Sequence, residues 1–121
     1  MAFLQDEPAA ARVEDVMAEA HAARVPLLIT APNAGEVWYS MARARSDRHA
    51  DRAVGMIRRL RFEIVGVDWE LAHVAARFKA RHGIAYADCF AAALARLRNA
   101  ELVTGDPEFR QLAHQVKILW L

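Results

Sequence analysis

The sequence PLLITAPNAGEVW, from Pro26 to Trp38, decides the fold class that we expect for this chain. Its apolar residues 27–30 follow a proline and predict a short buried strand. Pro32 and Asn33 interrupt that strand, and the apolar residues after them recur at helical spacing, which predicts a helix from about Ala34 to Arg45. A strand that leads into a helix is the unit from which α/β domains are built.

The same alternation continues along the chain. Further strands are predicted at residues 62–67, 102–104 and 116–120, and further helices at about residues 9–24, 48–60, 69–82, 87–97 and 108–112. In the helix at 48–60 the inward-facing residues are expected to be Ala53, Met56, Ile57 and Leu60. Gly83 is expected to end the helix before it in the left-handed conformation. Residues 1–121 are therefore predicted to form a single α/β domain, with a mostly parallel central sheet flanked by helices.

The composition excludes several classes of protein. With 121 residues, of which 55% are hydrophobic, the chain can fill one core but not two. No apolar run is long enough to span a membrane, and the acidic residues Asp6 and Glu7 argue against a signal peptide, so we expect a cytoplasmic protein. Cys89 is the single cysteine, which excludes an intrachain disulfide and a cysteine-based zinc site. We expect Cys89 to be a small core residue.

Positive charge is concentrated in one segment, although the net charge is only +1. Residues 43–61 contain Arg43, Arg45, Arg48, Arg52, Arg58, Arg59 and Arg61. Such a segment could contact phosphates or an acidic partner. A solvated helical face rich in arginine would produce the same pattern.

Three carboxylates are candidates for chemistry, and each also has a simple local explanation. Glu36 follows Asn33 by three residues, as in a capping box. Asp88 lies in the first turn of its helix, where a negative charge is favourable. Asp106 precedes a proline and could cap the short helix after it.

Taken together, Glu36, Asp88 and Asp106 predict a shared site. Glu36 and Asp106 both follow predicted strands, and ligands of open parallel sheets bind beyond the carboxyl ends of the strands. Asp88, at the start of its own helix, could join them. Carboxylates that are brought together repel each other, so either one is protonated or a cation binds among them. Oxygen ligands favour Mg²⁺ or Mn²⁺, which can polarise a phosphate and activate a water.

Three segments resemble motifs of one known family in order and separation. They are Asn33-Ala34-Gly35-Glu36-Val37, Tyr86 to Ala93 (YADCFAAA) and Leu102 to Phe109 (LVTGDPEF). The closing Val116 to Leu121 is similar to that family's last strand. On these residues the chain resembles the PIN domains of VapC-type toxin ribonucleases over essentially its whole length. The resemblance implies a magnesium-dependent endoribonuclease, usually dimeric and neutralised by an antitoxin, with Glu36, Asp88 and Asp106 as catalytic acids that hold the metal.

One part of the family pattern has no counterpart in this sequence. Members begin with a central strand that ends in an aspartate, whereas Met1-Ala2-Phe3-Leu4 already resembles the first helix and Asp6 falls at that helix's far end. Without that strand, strand edges would be exposed on both sides of the gap. We hypothesise that the true start lies upstream, although a fragment or a degenerate copy would also account for the pattern.

Three functions remain open from the sequence. The first is a toxin ribonuclease that cleaves RNA by a metal-activated water. The second is a catalytically impaired PIN-like module that binds an antitoxin or RNA without cleaving, with the arginine-rich segment as its contact surface. The third is an unrelated magnesium phosphatase that uses the same acids. Loss of RNA cleavage in Asp88→Asn with RNA binding retained would favour the first over the second.

Overall fold

The computed structural model describes the backbone of residues 7–121 and the side chains from Arg12 onward. In chain order the elements are α1 (Glu7–Ala22), β1 (Leu27–Thr30), α2 (Ala31–Ala44), α3 (Asp47–Arg59), β2 (Phe62–Val65), α4 (Trp69–Arg81), α5 (Tyr86–Leu97), β3 (Leu102–Thr104), a 3₁₀ helix (Pro107–Leu112) and β4 (Ile118–Trp120). Each of these elements corresponds to one predicted from the sequence. The expected helical character of residues 1–4 and the place of Asp6 lie outside the described residues.

The strands form two parallel pairs. β1 pairs with β2, with Leu27 opposite Phe62, and β3 pairs with β4, with Leu102 opposite Ile118. The prediction of mostly parallel strands flanked by helices is confirmed. The single central sheet is not: within residues 7–121 the two pairs are separate two-stranded sheets.

Two hydrophobic cores lie on either side of β1 and β2. Leu28 and Val65 pack against the larger core, which α4, α5 and the 3₁₀ helix supply, whereas Ile29 and Ile64 face the smaller core beside α2 and α3. Neighbouring residues of a strand point to opposite faces, so an uninterrupted apolar run such as Leu27 to Ile29 suits a strand that is covered on both sides.

Local interactions begin and end the helices. Asp68 caps α4, because its Oδ1 accepts a hydrogen bond from the backbone N–H of Leu71 at 2.9 Å. The prediction for Gly83 is wrong: the positive φ angles belong to Arg24, Arg61 and Asn99, each two residues beyond a helix end. These three residues take the left-handed conformation that commonly follows a helix.

The predicted inner face of α3 needs one correction. Ile57 is buried and Ala53 packs against the smaller core, as expected, but Met56 is 51% exposed. The buried stripe of α3 continues instead to Ala50, one turn of helix away from Ala53. No helix among the described residues is long and apolar enough to cross a membrane.

Candidate metal centre

The last residue of β1, Thr30, determines where α2 begins. Thr30 caps α2, and its Oγ1 accepts a hydrogen bond from the N–H of Asn33 at 3.2 Å. The helix therefore begins at Ala31, three residues earlier than predicted, because a proline at position 32 is compatible with a first turn. Asn33 lies inside the helix and is not its cap. The capping-box explanation for Glu36 is therefore wrong.

Asn33 instead connects two helices that are far apart in the sequence. Its Nδ2 donates a hydrogen bond to the carbonyl oxygen of Ala87 at 3.0 Å, and its Oδ1 accepts one from the hydroxyl of Thr30, which is 1% exposed. Ala87 immediately precedes Asp88 in the first turn of α5. This link fixes the start of α5 against the start of α2 and thereby positions the Asp88 carboxylate.

The third segment of the site follows β3. Asp106 caps the 3₁₀ helix as predicted, because its Oδ1 accepts a hydrogen bond from the N–H of Glu108 at 2.9 Å. The N–H of Asp106 donates in turn to Oγ1 of Thr104 at 3.1 Å. This turn orients Asp106 and brings Glu108, two residues further on, to the same side.

The carboxylates of Asp88, Asp106 and Glu108 converge. One oxygen from each lies within 4.8 Å of the other two. Glu36 is not in this triad, but its negative charge acts on Asp88, and its Oε2 accepts a long hydrogen bond from the Tyr39 hydroxyl at 3.5 Å. Two of the three acids predicted from the sequence thus meet directly, and the charge of the third acts on Asp88.

Glu108 was not identified from the sequence as a member of the site. Acidic residues are common in the first turn of a helix, two residues after a capping aspartate. Glu108 differs from them only because the 3₁₀ helix lies close to α5.

The electrostatics of the cluster centre on Asp88. Burial raises the pKa of its carboxyl group above the ordinary 3.8, and the negative charges of Glu36, Asp106 and Glu108 raise it further. Burial and like charge both disfavour the ionised form, so a cation that binds among these oxygens would relieve the repulsion. Cys89, the next residue, is fully buried with a raised pKa for its thiol, which confirms its expected place in the core.

A comparison with models of protein families gives one match, to the PIN domain, over residues 1–115. The chain belongs to the PIN domain family. The match covers nearly the whole chain and agrees with the family to which its motifs were assigned. A search of curated proteins gave no match.

A comparison with solved structures relates the fold to one complex in particular. A chain from the crystal structure of VapBC2 from Rickettsia felis, bound to a DNA fragment from their promoter, superimposes with a TM-score of 0.64 at 16% sequence identity. The alignment covers 78% of this PIN domain and 74% of that chain. At this level of identity the likeness concerns the fold.

Proposed function

We propose that this PIN domain is the toxin of a type II toxin–antitoxin pair and acts as a Mg²⁺-dependent endoribonuclease, with Mn²⁺ as an alternative metal. Glu36, Asp88 and Asp106 are the proposed catalytic and metal-binding acids, and Glu108 is added to them. The observation that carries the proposal is the convergence of the Asp88, Asp106 and Glu108 carboxylates within 4.8 Å. Membership of the PIN family and the likeness in fold to a chain of a VapBC complex support it.

The chemistry of the donor set fits a hard divalent cation. The ligands are carboxylate oxygens, which suit Mg²⁺ and Mn²⁺ better than the softer metals that prefer cysteine or histidine. Burial raises the pKa of Asp88, and the negative charges of Glu36, Asp106 and Glu108 raise it further; a divalent cation would offset those charges. Such an ion supplies a Lewis acid for a phosphate oxygen and lowers the pKa of a water molecule bound to it.

The surrounding residues hold the acids in position before substrate arrives. Asn33 holds the first turn of α5 through Ala87, and Thr104 holds the turn that carries Asp106. The acids thus belong to the ends of hydrogen-bonded elements, and a preorganised charge distribution loses little free energy to reorganisation during reaction. Glu36 lies beside the triad, where it would favour cation binding electrostatically or act as a further ligand.

The proposal extends to partners and location. One structure with a similar fold is a VapBC complex, so we propose a cognate antitoxin protein as a partner of this chain. A homodimer and a cytoplasmic location complete the proposal, with RNA as the substrate.

The test is RNA cleavage by the purified chain in Mg²⁺ or Mn²⁺, with a structured RNA. We expect cleavage that a chelator abolishes and that Asp88→Asn reduces by a factor of about 100 or more, as expected when electrostatic stabilisation of a transition state is removed. Asp47→Asn is the matched control, because Asp47 also lies in the first turn of a helix but faces solvent on α3. Hydrolysis of a small phosphomonoester would point instead to a phosphatase.

The alternative function, binding without cleavage, makes a different prediction in the same assay. A folded wild-type chain that binds RNA and does not cut it in either metal would overturn the nuclease proposal. It would favour the impaired module, whose exposed arginines on α3 supply the contact surface.

A further inference from the structure

A second charged site lies away from the carboxylates. A pocket of about 380 Å³ opens between α4, the C-terminal part of α5 and the turn before β4. Its lining residues are Val74, Arg77, Phe78, Arg81, His82, Arg96 and Gln115. The charges of this pocket are opposite in sign to those of the metal centre.

Three arginines converge on this pocket from two helices. No carboxylate lines the pocket among residues 12–121, whose side chains the structure describes. The guanidinium of Arg96 lies 5.9 Å from the ring centre of Phe78 and donates a hydrogen bond to Oε1 of Gln115 at 3.1 Å. Arg81 donates to the carbonyl oxygen of Arg77 at 3.4 Å. Two of the three guanidinium groups are thus held by interactions that leave other N–H donors free.

Helix stability alone does not account for this arrangement. A basic residue in the last turn of a helix favours the helix dipole, which explains Arg81 in α4 and Arg96 in α5 individually. It does not explain why they converge with Arg77, one turn earlier in α4, on a pocket without a counter-charge. An anion that binds in the pocket would be attracted by all three guanidinium groups.

We propose that this arginine pocket binds phosphate groups of the RNA backbone and holds the substrate strand beside the metal centre. The proposal rests on the function proposed above. Guanidinium groups match phosphate geometry through paired hydrogen bonds. Without a metal, the carboxylates themselves repel RNA, so attraction for a phosphate then comes from another part of the surface.

The position of the pocket suits this role. Asp88 and Arg96 lie on the same helix, eight residues apart, which corresponds to roughly 12 Å along its axis. This separation is short enough for a single RNA strand to contact both sites. The arginines of α3 are less suited, because Asp47 and Asp51 lie among them on the same helix.

The experiment measures binding of a fluorescein-labelled 20-nucleotide oligouridylate by anisotropy, in a chelator so that no metal-dependent cleavage occurs. The variants are Arg77→Gln/Arg81→Gln and the control Arg12→Gln/Arg24→Gln, an exposed pair outside both arginine surfaces with the same change of charge. We expect the pocket variant to bind at least about tenfold more weakly at 0.1 M salt, with a salt slope smaller by about 0.7 for each phosphate that the protein no longer neutralises. The control should change by less than about threefold.

The single variant Arg77→Gln keeps the interactions of Arg96 and provides the same test with less disturbance of packing. Equal weakening in the pocket and control variants, or no weakening in the pocket variant, overturns the proposal. If the pocket variant loses binding to a labelled oligoglutamate peptide while its RNA binding is unchanged, the proposal is also overturned. That result indicates an acidic protein as the occupant of the pocket. Because no metal is present, the binding result does not depend on cleavage. A chain that binds RNA through this pocket but never cuts it refutes only the proposed nuclease activity.

Discussion

Replacing Asp88 with asparagine should stabilise the metal-free protein while it abolishes the proposed activity. The carboxylate oxygens of Asp88, Asp106 and Glu108 lie within 4.8 Å of one another, and Asp88 is half-buried. At 4.8 Å, two unit charges repel by about 0.9 kcal/mol in water and by about 3.5 kcal/mol at an effective dielectric constant of 20. Because the cluster is partly open to solvent, we expect a net gain of about 1 kcal/mol for Asp88→Asn.

The assay is thermal unfolding in a chelator at pH 7. A gain of about 1 kcal/mol corresponds to a rise of roughly 4 °C in the midpoint for a chain of this length. Asp47→Asn should leave the midpoint unchanged or lower it slightly, because it removes only a favourable charge at the start of α3.

Addition of Mg²⁺ should reverse the order of stability. A cation that binds only the folded state at 100 times its dissociation constant stabilises it by about 2.7 kcal/mol. We expect this effect in the wild-type chain and a much smaller one in Asp88→Asn. A wild-type chain that is more stable than Asp88→Asn in the chelator would refute the reasoning.

The difference in unfolding free energy between Asp88→Asn and the wild-type chain depends on pH with a sign that the pKa of Asp88 determines. The folded state holds the Asp88 proton more tightly than the unfolded state, because its pKa is raised above 3.8. Between the unfolded and folded pKa values the folded chain therefore binds more protons, and stability falls as pH rises. The stability gained by Asp88→Asn should be absent below the pKa of Asp88 in the unfolded chain. It should grow between the unfolded and folded pKa values and be complete above the folded pKa.

Two further pairs of variants separate structural roles from metal binding. Asn33→Ala should lower the unfolding free energy by about 2 kcal/mol, because it removes the side-chain hydrogen bonds of Asn33 with Thr30 and Ala87. The same variant should weaken Mn²⁺ binding about tenfold. Asp68→Ala removes the cap of α4, so it should lower the unfolding free energy by about 1 kcal/mol and leave Mn²⁺ binding unchanged. Equal Mn²⁺ affinities in Asn33→Ala and Asp68→Ala would rule out the positioning role of Asn33. Asp106→Asn should keep the cap and stay within about 0.5 kcal/mol of wild type in unfolding, whereas Asp106→Ala should lose about 1 kcal/mol. Both Asp106 variants should lose Mn²⁺ affinity in calorimetric titration, and retention by Asp106→Asn would leave capping as its only role.

The positions of the elements were predictable from local pattern because each element has a strong local signal. Leu27 to Ile29 is an uninterrupted apolar run in a strand covered on both faces, and Asp68 is a polar cap before an amphipathic helix. The error at the start of α2 is also local. Pro32 is compatible both with a break and with a first turn, and the hydroxyl of Thr30 decides between them in three dimensions.

The candidate site was only partly predictable, because its assembly depends on long-range interactions. Asn33 and Ala87 are 54 residues apart, and no periodicity in the sequence indicates their hydrogen bond. Glu108 enters the site because the 3₁₀ helix approaches α5, which the spacing of residues does not reveal.

Mn²⁺ binding shows whether the carboxylates of Asp88, Asp106 and Glu108 form one divalent-metal site. Titration of the metal-free chain, followed by the paramagnetic resonance of free Mn²⁺, measures affinity without any substrate. We expect saturable binding by the wild-type chain, a loss of at least about tenfold in Asp88→Asn and no change in Asp47→Asn. A folded wild-type chain that does not bind Mn²⁺, or an affinity that Asp88→Asn leaves unchanged, would contradict the proposed metal site.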